Sequence, residues 1–174
     1  MTVSVKRAAG VALVIAAVAA ALAGGFVAGR ALEQRKLLAA VERIEIKEAG
    51  ISFAARLDSG ATVSSINARD FKVPGGDPRN MRANVGKTLQ FVVENERGES
   101  APVSARIDQV RGIRTADCRE LRYHVYLTVV FRGEEYPLLM NVNNRSRSRD
   151  KMLLGRNFLR HGWAVAVLED APAP

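Results

Sequence analysis

The chain is poor in the residues that form covalent or metal cross-links. Its 174 residues include one cysteine, Cys118, and two histidines, His124 and His161. A single cysteine cannot form an intramolecular disulfide, so we expect Cys118 to be a buried or inert thiol. These three residues also lack the spacings typical of zinc sites, such as CxxC or HExxH. The sequence therefore predicts neither a disulfide framework nor a metal site.

Aromatic residues and acidic residues are also scarce. Aromatics make up 6% of the chain, and 26 Lys and Arg face 18 Asp and Glu, which gives a formal net charge of +8. Such a basic excess attracts nucleic acids and anionic membranes. The basic residues are scattered, however, and the few aromatics do not interleave with them as a base-stacking surface requires. We therefore expect no nucleic-acid partner.

The N-terminal part contains a long uncharged segment. Residues 8–29, "AAGVALVIAAVAAALAGGFVAG", follow a basic tail at residues 1–7. About 20 apolar residues span a bilayer, whereas the apolar part of a signal peptide has about 7 to 15. We predict a transmembrane helix at 8–29, with a cleaved signal peptide ending near Ala21 or Ala23 as the alternative. Basic residues flank both ends, so charge does not fix the orientation. We expect a single-pass inner-membrane protein with its C-terminal domain on the periplasmic side.

The remainder of the chain divides into a short connector and one domain. Residues 30–43 are rich in good helix formers and predict a helical stalk. Residues 44–170 contain short β-prone runs separated by Gly, Pro, Asn and Asp, with one short helix, "RNFLRHG", after Gly155. Strands and helices do not alternate as they would in an α/β protein. The pattern predicts an all-β domain, either a closed barrel or a sandwich.

Two short motifs occur at the ends of apolar runs. They are "LDSGA" at residues 57–61 and "LLGRNFL" at residues 153–159. Together they resemble the retropepsins, retroviral-type aspartic proteases in which one strand ends in Asp-Thr/Ser-Gly-Ala and a later one in Gly-Arg-Asn. The segment "NVNNRSRSRDKMLLGRNFL" is also similar to a bacterial retropepsin-like family named ATP-dependent zinc protease. The resemblance covers residues 46–168 and implies a closed β-barrel of the acid protease fold.

The resemblance assigns chemical roles to the residues of both motifs. Acid-catalysed peptide hydrolysis needs two adjacent carboxyl groups that share one proton, because like charges at that distance cannot both ionise. Asp58 is the implied catalytic acid. The implied supporting residues are Ser59, Gly60, Ala61, Gly155, Arg156 and Asn157. The alternative is a turn at the end of a strand, since Asp-Ser-Gly is favourable turn chemistry.

Only one Asp-Ser-Gly occurs in the chain, although the dyad needs two acids. Retropepsins solve this by pairing two chains, so the resemblance implies a homodimer. The alternative is a site within one chain that uses Asp108, Asp117 or Asp150 as the second acid. Retroviral proteases often carry an acid at the position of Thr62, which leaves the partner of Arg156 open. The turn "ENERGES" at residues 94–100 is either a flap over substrate or an ordinary surface hairpin.

The sequence thus predicts a membrane-anchored aspartic endopeptidase that acts as a homodimer on peptides or proteins and requires no cofactor. Two other classes of function remain open. One is a binding module with the same scaffold and no catalytic activity, because fold does not fix function. The other is a basic, membrane-attached adaptor that binds anionic polymers.

Overall fold

The computed structural model describes residues 37–114 and 119–165. The predicted tail (1–7) and transmembrane segment (8–29) lie outside these ranges, as do residues 30–36 of the predicted stalk. Within the part of the chain that is described, no helix is both long enough and apolar enough to cross a membrane.

The described residues are predominantly β, as the sequence predicts. Asp117 and Cys118 fall between two strands, outside the described ranges. One turn of 3-10 helix covers Met81–Asn84, and helix α1 covers Arg156–Leu159 directly after Gly155, which confirms the predicted short helix. The strands are β1 (Leu37–Leu38), β2 (Val41–Ile46), β3 (Ile51–Leu57), β4 (Ser64–Lys72), β5 (Thr88–Glu94), β6 (Ser100–Arg114), β7 (Arg119–Phe131), β8 (Glu134–Asn143), β9 (Met152–Leu154) and β10 (Ala164–Val165).

The prediction of a helical stalk is wrong for residues 37–43, which form β1 and the start of β2. β1 pairs with β10, and Val41 of β2 pairs with Arg56 of β3. Leu38 is buried in the core. Pairing with distant strands and burial of an apolar side chain therefore outweigh the local helix propensity of this segment.

Most strands belong to one sheet with the order β2-β3-β9-β4-β5-β6-β7-β8. Two additional pairings, β2 with β7 and β4 with β8, connect strands that are far apart in this order. As a result β2, β3, β9, β4, β8 and β7 hydrogen-bond in a ring. β1 and β10 form a separate two-stranded sheet.

Two pairings in the sheet are parallel, β3 with β9 and β4 with β8. In the first, Leu57 lies opposite Leu154. Parallel strands run in the same direction, so residues that follow paired positions emerge at the same edge of the sheet. This register brings Asp58 and Gly155 together although they are almost one hundred residues apart in the sequence.

Helix α1 is fixed to the sheet by an aromatic cluster. Phe158 is fully buried, with its ring centroid 5.9 Å from that of Phe131 and 5.6 Å from that of Tyr136. Trp163 stacks on Phe158 at 6.2 Å. Such ring pairs contribute stability beyond the burial of their apolar area. The cluster therefore anchors the chain that follows β9 to strands β7 and β8.

One face of four adjacent strands is polar. The strand registers place Ser65 opposite Asn141, and His124 opposite both Asn141 and Gln109. Because side chains alternate along a strand, the residues two positions away point to the same side. We call this the polar face; its residues are Ser65, Asn67, Gln109, Arg111, Arg122, His124, Asn141 and Asn143. Several of these side chains are buried, which is unusual for polar groups without a functional reason.

His124 is the most buried titratable group of the polar face, with 1% of its surface exposed. Its Nδ1–H donates to the backbone oxygen of Arg122 at 3.2 Å. Burial lowers the pKa of His124, and the charges of Arg111 and Arg122 act in the same direction. The hydrogen bond to Arg122 and the charge of Asp108 oppose this shift. The native state therefore holds His124 neutral at a pH where the unfolded chain takes up a proton.

This shift predicts that the free energy of unfolding decreases as the pH falls below 6.5, the ordinary pKa of the group. The unfolded state then binds the proton while the native state resists it, with a slope of up to about 1.4 kcal/mol per pH unit. The loss continues until the pH reaches the lowered native pKa. Urea unfolding from pH 8 to pH 5 measures it. His124→Gln should flatten the dependence, and an unchanged pH dependence in this variant would contradict the role of His124.

Candidate active site

Asp58 is the first residue after β3 and is half-buried at the edge of the sheet. Its backbone N–H donates to Leu154 O at 2.9 Å, which continues the parallel pairing of β3 and β9. Its carboxylate oxygen Oδ1 accepts hydrogen bonds from the N–H groups of Gly60 at 3.0 Å and Ala61 at 3.1 Å. These two donors fix the orientation of the carboxylate and leave Oδ2 without a hydrogen bond within the described residues.

Gly155 lies where the two motif segments touch. A Cβ atom at this position would come within 2.9 Å of Ala61 O and of the carbonyl carbon of Val63, and within 3.1 Å of Ser64 N. The φ of Gly155 is −85°, which any residue can adopt. The position therefore requires glycine because a side chain would prevent the close approach of the two backbone segments.

Arg156 holds the loop that carries Asp58. Its backbone N–H donates to Ala61 O at 2.8 Å. Its guanidinium donates through Nη1 to Ser59 O at 2.9 Å and Gly60 O at 3.0 Å, and through Nη2 to Thr62 Oγ1 at 2.8 Å. The partner of Arg156, which the sequence left open, is thus a set of neutral oxygens in residues 59–62. Thr62 supplies a hydroxyl at the position where retroviral proteases often carry an acid.

Asn157 joins three elements. Its Oδ1 accepts from both the N–H and the hydroxyl of Ser64, at 2.9 and 2.8 Å, and its Nδ2 donates to Leu139 O at 2.8 Å. The hydroxyl of Ser64 in turn accepts from Gly155 N–H at 3.1 Å. Helix α1, β4 and β8 are therefore connected through one amide group.

All seven residues predicted for the site lie in or against the loop between β3 and β4, residues 58–63, which we call the Asp58 loop. All seven contribute backbone or side-chain contacts to it. The hydroxyl of Ser59, however, has no hydrogen bond in the described part of the chain. Ser59 contributes its carbonyl oxygen to Arg156 instead.

The described acids that were alternatives for the second carboxyl group are engaged elsewhere. Asp150 lies 3.7 Å from Arg56 and precedes β9, whereas the register places Leu154 beside the end of β3. Asp108 lies at a bulge in β6 and lines a separate cavity with Tyr126. No hydrogen bond or ion pair within the described ranges connects either acid to Asp58. Asp117 lies outside these ranges.

The turn of the β5–β6 hairpin, predicted as either a flap or a surface hairpin, is attached to the body of the domain. Asn95 Nδ2 donates to Ser52 O at 2.8 Å, and Glu96 accepts from Ala54 N–H at 3.0 Å. Glu96 also forms an ion pair with Arg43 at 2.8 Å. These contacts with β2 and β3 favour the surface hairpin, because a flap must move to admit substrate.

Sequence reasoning did not identify Arg145, which lies in the loop between β8 and β9. Residues 143–148 of this loop line a cavity of about 610 Å³. Burial and the charge of Arg122 lower the pKa of Arg145, and Asp150 and Asp58 oppose the shift. The sequence did contain a signal, because Arg145 lies in the segment "NVNNRSRSRDKMLLGRNFL" that resembles the bacterial retropepsin-like family, but that resemblance was not used to assign a role to this residue.

Comparison with known proteins identifies the family. A sequence model described as RimB-like, retropepsin-like aspartic endopeptidase RimB, matches residues 37–171. The chain belongs to this family. The match includes both motifs and confirms the resemblance to retropepsins, and its description does not mention a zinc protease. No curated protein matches the chain.

A similar solved structure is that of Lpg0085, a protein of unknown function (DUF785) from Legionella pneumophila subsp. pneumophila str. Philadelphia 1. The two share 20% sequence identity with a TM-score of 0.59, and the match covers 75% of this chain and 92% of Lpg0085. At this identity the similarity concerns the fold alone.

The close contact at Gly155 predicts that Gly155→Ala lowers the free energy of unfolding by about 1 to 3 kcal/mol, as overpacking does. The neighbouring atoms are backbone atoms and cannot rotate away. Gly60→Ala is the comparison, since a Cβ there meets only Asp58 Oδ1, at 3.2 Å. Urea denaturation measures both. A loss at Gly155 no larger than the loss at Gly60 would contradict the packing argument.

The contacts of Arg156 predict that Arg156→Ala destabilises the fold by about 1 to 2 kcal/mol, because three oxygens of the Asp58 loop lose a charged donor. Arg156→Lys should recover only part of this, since an ammonium group cannot reproduce the planar fork of donors. Arg160→Ala, at the exposed end of the same helix, is the control. Equal unfolding midpoints for Arg156→Ala and Arg160→Ala would refute the assigned role.

Proposed function

We propose that the protein is an aspartic endopeptidase in which Asp58 forms a dyad with Asp58 of the partner subunit. One observation carries the proposal. The carboxylate of Asp58 lies at the end of β3, where two backbone N–H donors orient it, and no described acid lies in contact with it. Membership in a family of retropepsin-like aspartic endopeptidases supports the same reaction.

A two-fold dimer would supply the second acid without any further motif. A two-fold axis places identical residues opposite each other, so one Asp58 can meet its own copy. One carboxyl group then stays protonated and donates to the substrate carbonyl oxygen, while the ionised one takes a proton from the attacking water. Asp58 is the catalytic residue. Ser59, Gly60, Ala61, Gly155, Arg156 and Asn157 support it.

The scaffold that we propose is a closed, retropepsin-like barrel. The ring of hydrogen-bonded strands β2, β3, β9, β4, β8 and β7 supports closure. In such a scaffold the substrate is a peptide or a protein segment, bound in an extended form across the two Asp58 loops. The cavity lined by residues 143–148 would provide space for substrate side chains.

We also propose that residues 8–29 anchor the protein in the inner membrane, with the enzyme domain on the periplasmic side. The support is the uncharged sequence of this segment alone. Confinement of two chains to one membrane raises their effective concentration. An anchored enzyme would therefore dimerise through a smaller interface than a free one.

The shared dyad predicts that Asp58→Asn abolishes hydrolysis and also inhibits wild-type chains. When full-length chains are mixed and allowed to exchange, heterodimers contain one acid and are inactive. Activity should then fall with the square of the wild-type fraction. Hydrolysis is measured on a proteome-derived peptide library by mass spectrometry of new termini, which detects cleavage whatever sequence the enzyme prefers.

Asp150→Asn is the matched control, because it removes an acid close to the site that the dyad does not use. It should retain activity, and chelators should leave wild-type activity unchanged. Activity that follows the wild-type fraction linearly, while the chains demonstrably exchange, would refute the dimer. Hydrolysis by Asp58→Asn equal to that of the wild type would refute the enzyme assignment and favour a binding module.

A further inference from the structure

We propose that Asn141 is a positioning residue for Asp58, and that Arg122 and Asn141 together couple the β6–β7 hairpin to the Asp58 loop. The inference rests on the proposed function. It concerns two residues of the polar face that lie outside both motifs.

Asn141 lies within β8 at a position where strand pairing does not require a side-chain amide. Only 7% of its surface is exposed, and Ser65, its neighbour on β4, is 4% exposed. Burial of a polar group costs free energy unless each of its hydrogen bonds is made. Apolar side chains would build the same pairing of β4 and β8 more simply. We therefore attribute the burial of Ser65 and Asn141 to the segments that their hydrogen bonds hold in place.

The first part of the network joins Asn141 to the Asp58 loop. Asn141 Nδ2 donates to Ser64 O at 3.2 Å. The other polar atoms of Ser64 contact Gly155 and Asn157, the two residues that pack on the loop after Asp58. Asn141 thus adds a side-chain contact from β8 to the backbone pairing of Ser64 with Met140.

The second part of the network joins Asn141 to the hairpin. Asn141 Oδ1 accepts from Ser65 Oγ at 3.1 Å and from Arg122 Nη1 at 3.3 Å. The side chain of Arg122 is 14% exposed and also pairs with Glu120. Both hydrogen-bonding groups of the Asn141 amide are therefore in use, one toward the Asp58 loop and one toward the hairpin.

The outer part of the hairpin has strand pairing on one side only. Residues 111–114 of β6 and 119–122 of β7 pair only with each other within the described part of the sheet. Arg122 lies at the base of this two-stranded ribbon, opposite Arg111. A displacement of the ribbon would shift Arg122, then Asn141, and then Ser64. Because catalytic groups tolerate only sub-ångström displacement, the hairpin would control the placement of Asp58.

The experiment is a double-mutant cycle on the full-length chain that needs no substrate. Hydrogen exchange of residues 58–64 reports on the loop, because the N–H groups of Gly60 and Ala61 are protected by the Asp58 carboxylate. Arg122→Ala and Asn141→Ala should each accelerate this exchange about fivefold to tenfold, the change for loss of one hydrogen bond. The double variant should show no further acceleration, since both changes break one chain of contacts.

A spectroscopic measurement separates positioning from general loss of stability. The ¹³C chemical shift of the Asp58 carboxyl group, measured at one pH, reports on its position relative to the N–H donors of Gly60 and Ala61. Both single variants should change this chemical shift. Arg111→Ala, which removes a neighbouring arginine of the same ribbon, is the matched control and should change neither the chemical shift nor the exchange. If Asn141→Ala does not fold, Asn141→Asp removes the donor to Ser64 O and keeps the acceptor for Arg122.

Independent effects of Arg122→Ala and Asn141→Ala, or an unchanged ¹³C chemical shift of the Asp58 carboxyl group in both, would overturn the coupling. If Asp58→Asn is inactive in the peptide-library assay while the cycle shows no coupling, only this inference fails. If Asp58→Asn is as active as the wild type, the proposed function fails and the positioning role fails with it.

Discussion

The contact between Gly155 and the backbone of residues 61–64 is the constraint on which the candidate site depends. Parallel pairing of β3 with β9 delivers the two motif segments to one edge, and the missing side chain lets them touch. Only at this distance can Arg156 reach the carbonyl oxygens that follow Asp58. The Asp58 loop is therefore shaped by backbone hydrogen bonds from a segment almost one hundred residues away, and little of its geometry is local.

The two sides of the sheet differ in polarity. Apolar residues such as Ile66 and Met140 fill the core, whereas Ser65 and Asn141 meet on the other side of the same strands. Each buried polar group there forms a hydrogen bond with a specific partner. Hydrogen bonds are directional, so they restrict the position of the group more than apolar packing alone would.

The sequence predicted the β class and the helix after Gly155 from local patterns, and the resemblance to retropepsins named the residues that lie in or against the Asp58 loop. It mispredicted β1, since the strand character of Leu38 comes from burial and from pairing with β10 at the other end of the chain. It also missed Asn141, because a polar residue in an apolar run gives no indication of what it contacts. Pairing register decides these contacts, and register is set by the whole sheet.

The Asp58 loop is held by contacts within one chain. The carboxylate oxygen Oδ1 of Asp58, the carbonyl oxygens of Ser59 and Gly60 and the amide of Asn157 all have partners from the same subunit. In the proposed dimer, association would therefore add a second carboxyl group to a site that is already formed, without ordering new segments. Little conformational entropy is lost in such an association. The interface can then be modest in area, and confinement to a membrane would supply the concentration that a small interface requires.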